Sequence, residues 1–285
     1  MISKEQFEKE IELIIENAIR EDVGEGDHSS LACIPKEAKG KAKLLIKDEG
    51  VLAGVEFAQR VFKKVDPAVV LDIRMEDGAK MKAGDVAFYL EGSSQSILKC
   101  ERLVLNAMQR MSAIATKTNA FVEKLKETNT KILDTRKTSP GLRALEKWAV
   151  KIGGGENHRF ALYDMIMLKD NHIDFAGGVK QAILKTQKYL QENNLDLKII
   201  VEARNFEEIK AIMEVGGIHR ILIDNFNFAD TKRAVQLIDG KFQTESSGGI
   251  TLETVTKYAE TGVDYISSGA LTHSVYNLDL SLKAY

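Results

Sequence analysis

The chain is predicted to be an α/β protein: a small β-rich unit, a long helix, and then a parallel α/β barrel. Three observations carry this. Residues 95–127 form an apolar-periodic stretch without a single Gly or Pro. Beyond it, six short apolar runs end in polar side chains, each followed by a helical pattern. The run-ending positions Glu202, Asp224, Ser247 and Gly269 are separated by 22, 23 and 22 residues, the length of one strand–helix unit repeated.

In chain order, residues 4–20 place Phe7, Ile11, Ile14, Ile15, Ala18 and Ile19 on one face, so an amphipathic helix is expected. Residues 21–28 read as a polar loop; it lacks the third glycine and the preceding strand of a dinucleotide fingerprint. Between 40 and 92 the period shortens. Ala42, Leu44 and Ile46 alternate with lysines, Val69–Ile73 and Val86–Leu90 are strand-like, and Asp77-Gly78 and Ala83-Gly84-Asp85 supply turns. Residues 95–127 then read as one long helix or two in tandem.

The six runs that follow are Ile132–Lys137, Met165–Lys169, Ile199–Glu202, Ile221–Asp224, Phe242–Gly249 and Tyr265–Gly269. Helices fit between the last four, on Phe206, Ile209, Ile212 and Met213, on Ala234, Val235 and Ile238, and on Leu252, Val255, Tyr258 and Ala259. Strands alternating with helices imply a parallel sheet, and six units favour a closed barrel, with an open doubly wound sheet as the alternative. Barrel strand ends converge on one face, where sites are built.

Composition narrows the function classes. With 40 basic and 42 acidic residues the net charge is −2, so no bulk field favours nucleic acid or membrane. The N-terminal stretch is acidic and amphipathic rather than a secretory signal, and no apolar run is long enough to span a bilayer; a cytoplasmic protein is expected. Cys33 and Cys100 are far apart without metal-ligand spacing, and read as reduced, mostly packed thiols.

Against that neutral background Arg136, Lys137, His158, Arg159 and Lys169 stand within 34 residues at run ends or beside Gly153-Gly154-Gly155. Arg offers a planar fork for carboxylate or phosphate and Lys a compact charge, so an anionic substrate is expected. Glu202 and Asp224 end adjacent predicted strands. They suit Mg²⁺, ribose hydroxyls or a positive charge developing on a sugar ring, and salt bridges to Lys137 and Lys169 are the structural alternative. Ser246-Ser247-Gly248-Gly249 and Ser267-Ser268-Gly269-Ala270 end the last two runs, where small residues let backbone N–H groups approach a phosphate; His273 is a candidate neighbour of it. The three glycines at 153–155 lack the Lys-Ser/Thr of a phosphate-binding P-loop and are explained by a helix end after Ala144–Ile152.

The motifs Thr135-Arg136-Lys137-Thr138-Ser139-Pro140-Gly141-Leu142-Arg143, Gly153-Gly154-Gly155-Glu156-Asn157-His158-Arg159, Lys169-Asp170-Asn171-His172-Ile173 and Ser247-Gly248-Gly249 resemble those of nicotinate-nucleotide pyrophosphorylases, also called quinolinate phosphoribosyltransferases. Residues 21–27 and 268–274 look like the same family, so the resemblance covers nearly the whole chain. It implies an N-terminal α/β open sandwich over residues 1–115, to which the C-terminal tail can return, and an incomplete TIM-like α/β barrel over 116–285. It further implies transfer of phosphoribosyl from phosphoribosyl pyrophosphate to quinolinate with Mg²⁺, giving nicotinate mononucleotide, pyrophosphate and CO₂ for NAD synthesis.

By motif, Thr135, Arg136, Lys137, Thr138, His158, Arg159 and Lys169 would hold quinolinate, with Arg102 donated by the neighbouring subunit of a homodimer or of a hexamer built from it. Glu202 and Asp224 would lie near ribose and metal, directly or through water. Ser247, Gly248, Gly249, Ser268, Gly269, Ala270 and His273 would hold phosphoribosyl pyrophosphate, and Lys137, Lys169, Glu202 and Asp224 would carry the catalysis. Three rivals remain. One is a related phosphoribosyltransferase with another acceptor, against which the intact Lys169-Asp170-Asn171-His172 argues. The others are an aldolase-like lyase using Lys137 or Lys169 as a Schiff base, and a silent phosphosugar-binding protein.

Overall fold

The computed structural model describes residues 2–285; Met1, the first residue of the acidic N-terminal stretch, lies outside them. The chain forms two compact units, each assembled from separated segments. One comprises residues 3–119, 138–154 and 271–285; the other comprises 120–137 and 155–270, with Ile2.

The first unit is an open sandwich. Helix α1 (Lys4–Val23) starts at Ser3, whose side chain accepts the Gln6 N–H, and buries Ile11 and Ile15. Helix α2 (His28–Cys33) follows on the Asp27 cap, just after the expected polar loop, and has no counterpart in the sequence reading. Strands β1 (Lys39–Ile46), β3 (Val70–Ile73), β5 (Val86–Ser93) and β12 (Leu280–Ala284) form an antiparallel sheet in the order β12-β1-β5-β3, and β2 (Gly50–Val51) pairs with β4 (Lys80–Met81). One face of β1 buries Ala42, Leu44 and Ile46 and the other carries its lysines, the alternation read from the sequence.

The β-rich reading of 40–92 misses helix α3 (Val55–Val65), which buries Val55, Phe57, Ala58, Val61 and Phe62. Its start has no local signal. Gly54 offers no side chain, and the Val55 and Glu56 N–H groups are capped instead by Asp77 at 2.8 and 3.2 Å. Residues 94–125 are a single helix, α4 (Ser94–Leu125), which begins in this unit and ends in the other. It packs on the β2–α3 connection, where Ser112 and Thr116 hydroxyls accept the Ala53 and Val51 N–H groups. Helix α5 (Arg143–Ile152) ends at Gly153, where a Cβ would lie 2.4 Å from the Ala115 carbonyl oxygen; here the glycine serves close helix packing. Of the two thiols Cys100 is packed, and burial pushes it up to about 12, whereas Cys33 is exposed, contrary to the expectation of packed cysteines.

The second unit contains all six predicted strands: β6 (Lys131–Leu133), β7 (Ile166–Leu168), β8 (Ile199–Ala203), β9 (Arg220–Asp224), β10 (Gln243–Ser247) and β11 (Tyr265–Ser267). They are parallel throughout, in the order β6-β11-β10-β9-β8-β7. The first strand therefore lies beside the last, as in a barrel, while β6 and β7 do not pair and the ladder stays open between them. The barrel is incomplete rather than closed. Glu156 takes the free edge of β6: its N–H donates to the Ile132 carbonyl and its own carbonyl accepts from Asp134.

Between the strands run α6 (Asp170–Ala176), α7 (Val179–Glu192), α8 (Phe206–Val215), α9 (Phe228–Ile238) and the short α10 (Val255–Ala259); α11 (Ala270–His273) follows β11. Leu168, Ile199, Val201, Ala203, Ile221 and Ile223 point toward these helices in one core with Ile183, Ile209, Ile212 and Ala234. Strand side chains alternate, so the opposite set faces the barrel interior: Lys169, Glu202, Asp224, Glu245, Ser247 and Ser267.

Candidate active site

At the end of β6, Asp134 is fully buried and ties two of the sequence motifs together. Its carboxylate accepts the His158 N–H at 2.9 Å and the Asn157 side-chain amide at 2.5 Å. That anchor brings the segment from Gly155 to Arg159 beside Thr135, Arg136 and Lys137. The following turn is held by Asp164, which accepts the Phe160 and Ala161 N–H groups at 2.8 and 2.7 Å.

Two guanidiniums are thereby placed close enough to repel. Arg159 is 6% exposed, and its pKa is lowered, by burial first and by the charge of Arg136 second. One Arg159 fork nitrogen donates to the Met165 carbonyl at 3.2 Å. The Arg136 Nε is buried with no hydrogen-bond partner in the chain. A mutually repelling pair, one member buried and the other half-buried with an unsatisfied buried donor, is stabilised by an anion. Lys137 and Lys169 are both exposed at this end of the barrel. The Lys169 backbone is held by its N–H bond to His172 Nδ1 at 3.0 Å.

Glu202 and Asp224 end the adjacent strands β8 and β9. Glu202 is nearly buried and its pKa is raised, chiefly by burial and then by Asp224, with Lys169 acting in the opposite sense. Asp224 accepts from the Ser247 hydroxyl at 2.5 Å and from the Asn225 amide at 2.6 Å, which orients it at the strand end. The two carboxylates thus share a field rather than being neutralised by a bidentate partner. Among the described residues, no three His, Cys, Asp or Glu side chains are grouped to hold a metal ion. A pair of carboxylates is the donor set expected for Mg²⁺ that keeps most of its shell as water and substrate oxygen, and the repulsion between them is what a divalent cation relieves.

The Ser247-Gly248-Gly249 turn is packed tightly. Gly248 has φ +99°, and a Cβ there would lie 2.1 Å from the Asn225 side-chain oxygen; Gly249 has φ +59°. Asn225 itself adopts φ 58° and donates its N–H to the Ser247 carbonyl. Ser268 is less available than its sequence position suggests: its N–H donates to Leu133 and its hydroxyl to Ile250. Gly269 and Ala270 follow at the same end of β11. Arg102 (exposed on α4), Thr138 (bonded to Arg143) and His273 belong to the other unit.

The His158 ring lies between two groups of the chain. Its Nδ1 accepts the Arg159 N–H at 2.6 Å and its Nε2 lies 3.4 Å from Glu245, a carboxylate absent from the predicted site. Glu245 stands mid-strand on β10, two residues before Ser247 and therefore on the same face. That parity was the available signal.

The family model described as "Quinolinate phosphoribosyl transferase, C-terminal domain" matches residues 114–283, and its N-terminal counterpart matches 27–112. A curated relative from Nicotiana tabacum, "Quinolinate phosphoribosyltransferase [decarboxylating] 1b", is 44% identical over 285 residues, covering 95% of this chain and 81% of the relative. Among solved structures, NadC from Streptococcus pyogenes is 39% identical with a TM-score of 0.89, covering 99% of this chain and 97% of that one. The nicotinate-nucleotide pyrophosphorylase from Ehrlichia chaffeensis is 34% identical with a TM-score of 0.89, covering 100% and 99%.

Proposed function

We propose, because the chain belongs to the quinolinate phosphoribosyltransferase family, that the site at its barrel end joins quinolinate to phosphoribosyl pyrophosphate with loss of CO₂. The product is nicotinate mononucleotide, a step of NAD biosynthesis. The observation that carries the substrate assignment is the Arg136–Arg159 pair, repelling and incompletely bonded, with Arg159 buried and Arg136 half-buried.

Two adjacent carboxylates on a pyridine ring match two guanidinium forks flanked by Lys137 and Lys169. Binding through them leaves the ring nitrogen free to meet the ribose anomeric carbon. The Ser247-Gly248-Gly249 turn and the start of the segment after β11 offer backbone N–H groups to the 5′-phosphate. In the transfer, the bond from the anomeric carbon to pyrophosphate oxygen breaks as the bond to the ring nitrogen forms. Positive charge develops on the ribose, and Glu202 and Asp224, fixed on neighbouring strands, stabilise it electrostatically. Alignment of the two substrates supplies much of the remaining acceleration.

Glu202 and Asp224 would also hold Mg²⁺, largely through water, and the ion would neutralise the departing pyrophosphate when bound. After transfer the pyridinium nitrogen is cationic. The bond to the adjacent carboxylate breaks, its electron pair stays on the ring carbon beside that nitrogen, CO₂ leaves, and a proton replaces it. No enzyme nucleophile is needed. Lys137 and Lys169 are exposed rather than enclosed in an apolar pocket, so nothing favours the Schiff-base alternative.

The working assembly in this reading is a homodimer in which Arg102 of a second copy completes the quinolinate site, and the location is cytoplasmic. No helix among the described residues is long and apolar enough to cross a membrane. The direct test is incubation with quinolinate, phosphoribosyl pyrophosphate and Mg²⁺. Nicotinate mononucleotide and CO₂ are expected in equal amounts, and absence of both refutes the reading.

A further inference from the structure

Glu245 is a charged residue beneath the site with its side chain fully buried between its neighbouring strands. Arg220, at the start of β9, donates to it at 2.7 Å and lies over the Tyr265 ring of β11 at 3.8 Å. Burial opposes ionisation of Glu245, but His158, Arg220 and the Ser267 hydroxyl override it and hold the carboxyl well below the usual carboxylate range. On its other side stands the His158 ring, 5% exposed, with Nε2 facing the carboxylate at 3.4 Å.

The second ring nitrogen is held by the backbone. Nδ1 accepts the Arg159 backbone N–H at 2.6 Å, which requires a lone pair there, so the proton must sit on Nε2 and face Glu245. Nε2 is buried 3.4 Å from the Glu245 carboxylate, a charge contact rather than an aligned hydrogen bond. The arrangement differs from that of a cationic ligand, which would need Nδ1 protonated or an Nε2–H directed at the substrate.

We infer that Glu245, backed by Arg220, is a positioning residue: it holds His158 as the Nε2–H tautomer, so that Nδ1 grips the Arg159 N–H and sets the Arg159 fork for its anion. The chain of support runs from β9 through β10 to the segment after Glu156, and it explains why a full ion pair is kept inside a barrel. A buried pair of this kind adds little net stability over apolar residues of the same size, so its value lies in orientation. The inference rests on the reading of Arg136 and Arg159 as the dicarboxylate site.

The test uses full-length enzyme labelled with ¹⁵N at histidine, with the His158 resonances assigned by their loss in His158→Gln. At neutral pH the wild type is expected to show Nε2 protonated and Nδ1 bare. Glu245→Gln, whose side-chain oxygen can still accept, should keep that tautomer and lose only a few-fold in kcat/KM. Glu245→Leu should lose it, with KM for quinolinate rising about tenfold or more while KM for phosphoribosyl pyrophosphate stays within about twofold. Should Arg220, left unpaired, prevent that variant from folding, Arg220→Met/Glu245→Leu removes both charges and is read the same way.

A doubly protonated or Nδ1–H His158 in the wild type overturns the inference. So does a folded Glu245→Leu or double variant in which both KM values rise together. If quinolinate is not turned over at all, yet the tautomer is kept in Glu245→Gln and lost in Glu245→Leu, the positioning role stands and the substrate assignment falls.

Discussion

Arg136 and Arg159 repel each other at a site that the chain itself leaves electrically unfinished, and Glu202 and Asp224 at the ends of β8 and β9 repel each other likewise. Such groups are costly to the free protein and useful only when substrate arrives. Lys137→Ala should reduce turnover by about 100-fold while leaving the thermal midpoint nearly unchanged, since the side chain is exposed. Unaltered turnover in steady-state assays would remove Lys137 from the mechanism.

Glu202 gives a prediction with a defined sign. Its folded pKa is raised, so the ionised form burdens the native state at high pH, and that burden disappears below the unfolded value near 4.5. Glu202→Gln should therefore unfold at a higher temperature than wild type at pH 8. The advantage should shrink as the pH falls through the raised folded value toward 4.5 and be gone below it, with activity lost at every pH. A thermal shift that is flat or reversed across this range would show that Glu202 is not under strain. At this scale the sequence marked candidate residues through the strand ends, and Glu202, Asp224 and Ser247 stand at the ends of β8, β9 and β10. Glu245 was marked there only by strand parity, two residues before Ser247, and by no motif or run end.

Elements explain why those side chains hold their places. The 22- and 23-residue spacing of the run ends is one strand, one helix and two short connections, and every strand it predicts is present. Parity within each strand then sorts core from site: Val201, Ile221 and Ile223 pack on helices while Glu202 and Asp224 turn inward. The helices that escaped notice, α2 and α3, lie among strands and turns, and α3 takes its N-terminal cap from Asp77 rather than from its own flank.

At the Ser247-Gly248-Gly249 turn, Gly248→Ala combines a left-handed φ with a Cβ driven into Asn225, the group that helps orient Asp224. A loss of about 1–3 kcal/mol in chemical unfolding is expected. With it should come a higher KM for phosphoribosyl pyrophosphate and an unchanged KM for quinolinate. An equal change in both constants would separate this turn from the phosphate.

For the whole molecule, the proposed dimer makes a prediction that no single-chain defect imitates. Arg102→Ala and Lys137→Ala subunits should each be inactive alone. Mixed under conditions that exchange subunits, they should recover about a quarter of wild-type activity, because half the dimers are mixed and each of those carries one intact site. No recovery, with exchange verified by mass, would place Arg102 outside the shared site. Neither compact unit is a continuous stretch of chain: residues 138–154 and 271–285 join the N-terminal sheet and its helices, and β12 lies along β1 as an outer strand of that sheet.

Hydrophobic period, turn chemistry and the spacing of reactive residues act over a few to a few tens of residues, so the sequence alone determined the α/β class and the six parallel strands, and named the candidate cations and carboxylates at their ends. Other features depend on groups far apart in the chain whose pairing leaves no local pattern: the gap between β6 and β7, the single span of α4, the return of β12, and the seat of His158 on Glu245. Only the tertiary structure decided those, because burial sets both which distant groups meet and how strongly their charges act on one another.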